Sequence, residues 1–123
     1  MKQKDEENNE ESSNQEQLKR LLNNPKINIV DGLIQLKLSK KVKVLSAKDS
    51  IETDVLEYPE ECLLEHMEVM DDYTGGIKRA VALTCSMTGA IRASMKKLNV
   101  KDYTAMEAIV SYFLEGGQTT GET

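Results

Sequence analysis

The residues that could carry metal or nucleophilic chemistry are two cysteines and a single histidine. Cys62 and His66 are four residues apart in a segment predicted to be helical, so their side chains would share one helix face and offer two ligands for Zn²⁺. Cys85 could add a third ligand, but the chain has neither a CxxC pair nor a second histidine. A thiol nucleophile would need His66 as its base and an orienting partner in a cleft. We therefore favour buried thiols and a surface imidazole over a metal or catalytic site.

Two further patterns fall short of a catalytic or phosphate-binding motif. A run of acids could supply paired carboxylates, at Glu57, Glu60, Glu61 and Glu65. Such a run at a helix start is usually a solvated face, and nothing in the sequence implies a pocket around it. Gly75 and Gly76 precede Lys78 without the longer glycine-rich stretch ending in GKS or GKT that a phosphate loop needs. We expect no catalytic residue, no cofactor and no metal, and we expect that the protein is not an enzyme.

Composition predicts one small domain and argues against nucleic acid. The chain has 123 residues, of which 39% are hydrophobic, and one Phe, four Tyr and no Trp leave Leu, Ile, Val and Met to fill the interior. A large preformed ligand pocket would be difficult to build from these residues. The net charge of -5 and the pI near 5.0 argue against nucleic-acid binding, because a basic face supplies most of that affinity.

The sequence also bears on localisation. It has no run of eighteen apolar residues and is polar from Met1 onward, so we expect neither a transmembrane helix nor a signal peptide. The cytoplasm is the expected compartment, with no membrane partner. Two cysteines in a chain without an export signal are more often reduced than paired, so we predict that Cys62 and Cys85 are core thiols.

Both ends of the chain are predicted to be disordered tails. Residues 1–26 are acidic and polar, with almost no apolar residue before Leu18, and residues 118–123 form a shorter tail. Leu18, Leu21 and Leu22 allow a short amphipathic helix that Pro25 would end. Either the first tail is a solvated segment or this helix docks a partner. Residues 27–117 then form a single domain.

The first part of that domain has the pattern of antiparallel strands. Asp31-Gly32 is the dipeptide that best supports a two-residue hairpin turn. Beyond it, apolar residues alternate at Ile34, Leu36, Leu38, Val42 and Val44. Lysines cluster in the same region, at Lys37, Lys40, Lys41, Lys43 and Lys48, and we interpret them as a guard against edge-to-edge aggregation. A polar turn leads to a returning strand that ends near Tyr58, where the adjacent Val55 and Leu56 indicate a bulge or an early strand end.

Helices follow the strands. Pro59 and the acids after it predict a helix to about Asp71, with one apolar face made by Leu63, Leu64, Met67 and Met70. A helix from about Ile77 should end at Thr88-Gly89, because glycine adopts the left-handed conformation that closes helices. A short helix follows, and Asn99 and Asp102 begin the last helix, which Gly116-Gly117 ends. The fold class is α+β: an antiparallel hairpin or three-stranded ribbon, then about four small helices.

This arrangement resembles the phage tail assembly chaperone family of contractile-tailed and Mu-like phages. The shared features lie between Leu33 and Gly117: the strand LIQLKLSKKVKV, the strand IETDVLEY ending at Pro59, the Thr88-Gly89 doublet, and Leu98 followed by Asp102 and FLEGG. Lys40-Lys41, where many relatives have a proline, and the long polar extension before Leu33 depart from the pattern.

The resemblance implies a chaperone that binds the tape measure protein, keeps it soluble and leaves before the tail is complete. The resemblance leaves the tail tube protein open as a second partner and a homo-oligomer open as the assembly, and it implies the cytoplasm of a host cell as the compartment. An amphipathic helix of the partner would lie in a groove between helices. Because thioether side chains are flexible, we expect this groove to be lined by Met67, Met70, Met95 and Met106, unless these methionines fill the core instead.

Two other functional classes stay open. One is a small DNA-binding regulator, in which the Ile77 helix and the short helix after Gly89 form a helix-turn-helix with Arg92, Lys96 and Lys97 on the recognition helix. The other is a structural component of the virion or tail.

Overall fold

The computed structural model describes residues 15–116. The elements are α1 (residues 15–22), β1 (Ile27–Val30), β2 (Leu33–Ser46), β3 (Asp49–Glu57), α2 (Leu64–Glu68), a first 3₁₀ helix (Val69–Asp72), α3 (Gly76–Thr88), a second 3₁₀ helix (Arg92–Lys97) and α4 (Val100–Leu114). The predicted α+β class with a three-stranded ribbon is confirmed. Residues 1–14 of the first predicted tail and residues 118–123 lie outside the described range, whereas residues 15–26 of the first tail lie within it and include α1.

The first hairpin forms where Asp31-Gly32 predicted it. Asp31 and Gly32 both have positive φ, 53° and 80°, which is the backbone of a tight turn whose twist matches the flanking strands. Their neighbours pair antiparallel, with Val30 opposite Leu33 and Ile29 opposite Ile34. The sheet order is β1-β2-β3, so the long strand β2 lies in the centre.

The alternation along β2 directs one face of the sheet to the core. Ile34, Leu36, Leu38 and Val42 are buried, while the lysines between them are exposed, as predicted. The interpretation of the β2 lysines as guards of a sheet edge is wrong, because β2 is the central strand. Its distal half is covered on the side away from β3 by the chain after α3, where Val44 forms a bridge with Ala90.

The predicted irregularity near Val55 is a bulge, and its extra residues lie on β2. Lys37 pairs with Val55, and the next pair is Val42 with Thr53, so residues 38–41 oppose Asp54 alone. In this bulge, the backbone N–H of Ser39 on β2 donates to the side chain of Asp102 on α4.

The predicted helix from Pro59 to about Asp71 is wrong in its start. Tyr58 N–H donates to the Ile34 carbonyl at 2.9 Å, so the chain still follows the sheet at that point. It remains non-helical up to Leu63, whose extended backbone precedes α2 and whose N–H donates to His66 Nδ1 at 3.0 Å. The helix therefore begins about five residues later than predicted.

The apolar face predicted for that helix is also wrong. Leu63, Leu64 and Met67 are exposed, and Met70 alone of the four is buried. The physical reason is the short length of α2, which gives way after five residues to the 3₁₀ helix Val69–Asp72. Of the four residues, Met70 alone lies in this 3₁₀ helix, whose tighter winding changes its spacing from the residues of α2.

The C-terminal helices agree with the sequence pattern. Gly89 follows α3 with φ 83° and donates its N–H to the Cys85 carbonyl at 2.9 Å, which is the expected left-handed helix end. The Asn99 side chain accepts the Asp102 N–H at 2.9 Å and so caps α4. The segment between them is a 3₁₀ helix of six residues.

The core lies between the sheet and the helices α3 and α4. At its centre the Tyr58 and Thr84 hydroxyls share a hydrogen bond of 2.9 Å, and the Tyr58 ring stacks on Phe113 at 5.9 Å between centroids. Leu21 of α1 is buried in the same cluster and Leu18 packs against it. The short helix predicted at Leu18–Leu22 is therefore present, and the core includes residues before position 27.

Within residues 15–116, every helix is too short or too polar to cross a lipid bilayer.

Candidate functional site

An apolar groove lies between α3, the second 3₁₀ helix and the start of α4. Its volume is about 420 Å³. The lining residues are Ile77, Lys78, Val81, Arg92, Met95, Lys96, Leu98, Asn99, Val100 and Tyr103.

The groove has a buried floor and exposed apolar sides. Met95 is 4% exposed, whereas Ile77 on α3 and Val100 on α4 expose 65% and 79% of their surface. Val81 and Tyr103 are half-buried and pack against the main core. Large apolar side chains this exposed, and gathered around one depression, are typical of a surface that binds another molecule.

The groove is open because the chain between α3 and α4 runs along the sheet. After Gly89, Leu45 N–H donates to the Gly89 carbonyl and Ile91 N–H to the Lys43 carbonyl, both at 2.9 Å. Glycine suits this position because its φ is 83°, a left-handed conformation that L side chains rarely adopt. The second 3₁₀ helix then returns to α4 and forms the floor between the two longer helices.

The rim of the groove is basic although the chain as a whole is acidic. Lys78, Arg92 and Lys96 line it, and no Asp or Glu is among the ten lining residues. Arg92 is held over the Tyr73 ring, with Cζ 4.0 Å from the centroid. In the part of the chain that the structure describes, Lys78 and Lys96 form no ion pair. Their charges are therefore available to a ligand.

A buried ion pair fixes the first turn of α4, which carries one side of the groove. Asp102 is 1% exposed, and its Oδ1 lies 2.8 Å from Lys26 Nζ. The Ser39 N–H in the β2 bulge donates to Asp102 Oδ2, and the Ser39 hydroxyl donates to Oδ1, each at 3.0 Å. Burial raises the pKa of Asp102, but the hydrogen bonds from Lys26 and Ser39 outweigh burial and hold that pKa below its usual value.

The four methionines predicted to line a groove do not form one surface. Met95 lies in the groove floor, whereas Met70 and Met106 are buried in the core and Met67 is exposed on α2. Sequence reasoning missed Ile77 and Val100, which carry most of the exposed apolar surface. The available signal was their place in the first turn of a helix, each beside lysines in the segments IKR and NVK.

The cysteines and the histidine do not form a reactive centre. Burial raises the pKa of the Cys62 thiol, and it raises that of Cys85 to about 11 against a smaller opposing effect of Arg92. A raised pKa leaves little thiolate, which is the nucleophilic form. His66 Nδ1 is used in the cap of α2. Among residues 15–116, no three side chains of His, Cys, Asp or Glu are placed to hold a metal ion.

The structure does not favour the helix-turn-helix alternative. The segment that would be the recognition helix is the second 3₁₀ helix, six residues long, and its Arg92 lies against Tyr73. A recognition element of this kind places an α-helix in the major groove.

Comparison with known proteins found no match, so the function is inferred from the fold and the groove. No protein-family model, no curated protein and no solved structure matches this chain.

Proposed function

We propose that this protein is a phage tail assembly chaperone that binds the tape measure protein, keeps it soluble during tail assembly and is not retained in the mature particle. The observation that carries the proposal is the open apolar groove with a basic rim. The tail tube protein is a second client compatible with this function.

The lining of the groove suits an amphipathic helix of a partner. In helix-in-groove recognition, the apolar stripe of one helix lies on an apolar floor, with side chains at three- and four-residue spacing as anchors. Ile77 and Val100 would each lose exposed apolar surface to such a helix, which stabilises the complex by about 25 cal/mol per Å² removed from water. A long coiled-coil protein offers stripes of this kind along its length, and covering them prevents their association with one another.

The basic rim makes the groove selective for helices with acidic flanks. Lys78 and Lys96 are exposed beside the apolar lining. Charge complementarity of this kind accelerates encounter and disfavours like-charged partners more than it adds affinity. Binding is therefore expected to weaken as ionic strength rises.

Co-expression tests the proposal. The full chain is produced with the tape measure protein encoded in the same genome, and the soluble, co-purifying fraction of that client is measured. Val100→Glu is expected to abolish the rescue, since it places a charge in the apolar lining. Leu45→Glu is the matched control, because Leu45 is an exposed leucine outside the groove. The proposal fails if the client is no more soluble with the wild-type chain than alone and does not co-purify.

Mass spectrometry of purified particles separates a chaperone from a structural component. A chaperone that leaves during assembly should be missing from complete particles, whereas a component would be present in the copy number of tail proteins. Detection at that copy number contradicts the proposed function.

A further inference from the structure

The α2 segment carries a second exposed apolar surface, with the opposite charge. Leu63, Leu64 and Met67 expose 44%, 72% and 38% of their surface. Glu65 and Glu68 are exposed beside them, three residues apart on the helix surface, and neither has an ion-pair partner within residues 15–116. We call these five residues the α2 face.

The α2 face has the apolar and acidic side chains that are expected of a ligand for the groove. It is a helical surface with leucine and methionine anchors and acidic flanks, whereas the groove has an apolar lining and a rim of three basic residues without an acid. Apolar surface meets apolar surface, and the sign of each flanking charge is opposite. The two surfaces are complementary in both respects.

We propose that the α2 face of one copy of this protein docks in the groove of a second copy. The inference goes beyond the proposed function and does not require it, because both surfaces belong to this chain. If the proposed function also holds, the α2 face occupies the place of a client helix, and self-association and client binding compete for one groove.

The symmetry of this contact follows from its two different surfaces. A contact between unlike patches is heterologous, so a bound pair still presents one free groove, on the copy whose α2 face is docked, and one free α2 face, on the other copy. Such a contact builds short open chains or closes into a ring. An interface that used the same patch on both copies would stop at a dimer.

The contact is small, so the association is weak. One short helix against one groove lies below the roughly 1,200 Å² of total buried area found in stable complexes. We therefore expect a weak dissociation constant of ~100 μM, at which self-association is still detectable in concentrated solution. Self-association is thus expected in concentrated solution and at low ionic strength, and it should decline as salt screens the glutamates from the lysines.

Two single variants of the full chain test the proposal. Leu64→Glu removes the α2 face and keeps the groove, whereas Val100→Glu removes the groove and keeps the α2 face. Both positions are more than two-thirds exposed, so both variants should fold, which circular dichroism checks. In sedimentation velocity over a concentration series, each variant alone is expected to associate at least tenfold more weakly than the wild-type chain, by loss of the central contact.

Mixing the two variants gives the decisive readout. Leu64→Glu offers an intact groove and Val100→Glu an intact α2 face, so the mixture should form a 1:1 dimer that cannot grow. With ¹⁵N-labelled Leu64→Glu, unlabelled Val100→Glu should shift the amide resonances around Ile77, Lys96 and Val100. Leu45→Glu, the matched control, should associate as the wild-type chain does.

Three results would overturn the proposal: a wild-type chain that stays monomeric near 1 mM, single variants that associate normally, or a mixture that shows no new dimer. The client assay distinguishes a failure of this proposal from a failure of the proposed function. Leu64→Glu should still rescue the tape measure protein, since its groove is intact, so a loss of self-association with full client rescue supports both proposals. Normal self-association without client rescue supports this inference and contradicts the proposed function.

Discussion

Neutralising Asp102 should destabilise the fold more than neutralising any other member of the ion pairs that lie within residues 15–116. Asp102 links three segments, because its carboxylate binds Lys26 before β1 and both polar groups of Ser39 in the β2 bulge, while its own backbone lies in the first turn of α4. Asp102→Asn keeps the size of the side chain and removes the charge. The variant therefore tests the electrostatic contribution with little change in packing.

The expected magnitude follows from the burial of the partners. Breaking a fully buried pair costs about 3–5 kcal/mol, mostly because a charge is left without a partner. The Lys26 side chain is 23% exposed, so its ammonium can regain some water and the cost is lower. The asparagine oxygen can still accept one of the hydrogen bonds from Ser39 and leaves the other donor less well satisfied. We expect Asp102→Asn to lower the free energy of unfolding by about 2 kcal/mol at neutral pH.

The effect should also depend on pH. The pKa of Asp102 in the folded state lies below the ordinary value of 3.8, through the hydrogen bonds from Lys26 and Ser39 that outweigh burial. A depressed pKa means that the ionised group stabilises the fold fully above the unfolded-state pKa and loses this effect as pH falls through the folded-state pKa. The stability gap between the wild-type chain and Asp102→Asn should therefore stay constant from about pH 7 to about pH 5 and close below about pH 4.

Urea unfolding followed by circular dichroism at several pH values measures this gap. Asp54→Asn is the matched control, because Asp54 also pairs with a lysine, Lys37, but lies at the surface where an ion pair contributes little. The control should change stability far less than Asp102→Asn. The reasoning is refuted if Asp102→Asn unfolds at the wild-type urea concentration at neutral pH, or if the gap is unchanged at about pH 3.

Three further changes test the packing. Leu21→Ala should lower the free energy of unfolding by about 2–3 kcal/mol, because Leu21 is buried. Leu22→Ala in the same helix should have almost no effect, because Leu22 is 39% exposed. Equal effects of the two variants in chemical denaturation would mean that α1 is not part of the core. Gly89→Ala should lower it by about 1–2 kcal/mol and reduce the melting temperature, since an L-residue at φ 83° is strained; an unchanged melting temperature would contradict this. Thr84→Val should lower the free energy of unfolding by about 1–3 kcal/mol, because it leaves the buried Tyr58 hydroxyl without its partner. In a double-mutant cycle, adding Tyr58→Phe should recover part of this loss, and purely additive effects of the two changes would contradict the prediction.

The elements that the sequence predicted well are those whose local signals agree with their environment. The Asp31-Gly32 turn, the alternation along β2 and the glycine after α3 each have a strong local cause, and each was confirmed. The Pro59 helix failed because its local signals conflict with the sheet: Tyr58 is drawn into the core, and its N–H pairs with Ile34. A tertiary contact of this kind cannot be read from a window of neighbouring residues.

The groove was beyond sequence reasoning for a related reason. Helical spacing marks apolar positions but does not separate core from groove: Met70 and Met106, predicted to line a groove, are buried in the core, and Met95 lies in the groove floor. It does not predict that the chain after Gly89 pairs with β2. Because the groove depends on that long-range pairing, helical spacing alone could not distinguish its lining from ordinary core, although the first-turn positions of Ile77 and Val100 beside lysines were a signal.

The exposed apolar residues of the groove and of α2 have a common physical cause. α2 ends after five residues and the segment after α3 winds as a 3₁₀ helix, so neither buries a full helical stripe in the way that α4 does. Large apolar side chains left in water favour any partner that covers them, whether a client or a second copy. Because Leu64 lies on the α2 face and Val100 lines the groove, the pair of variants Leu64→Glu and Val100→Glu tests each exposed surface separately.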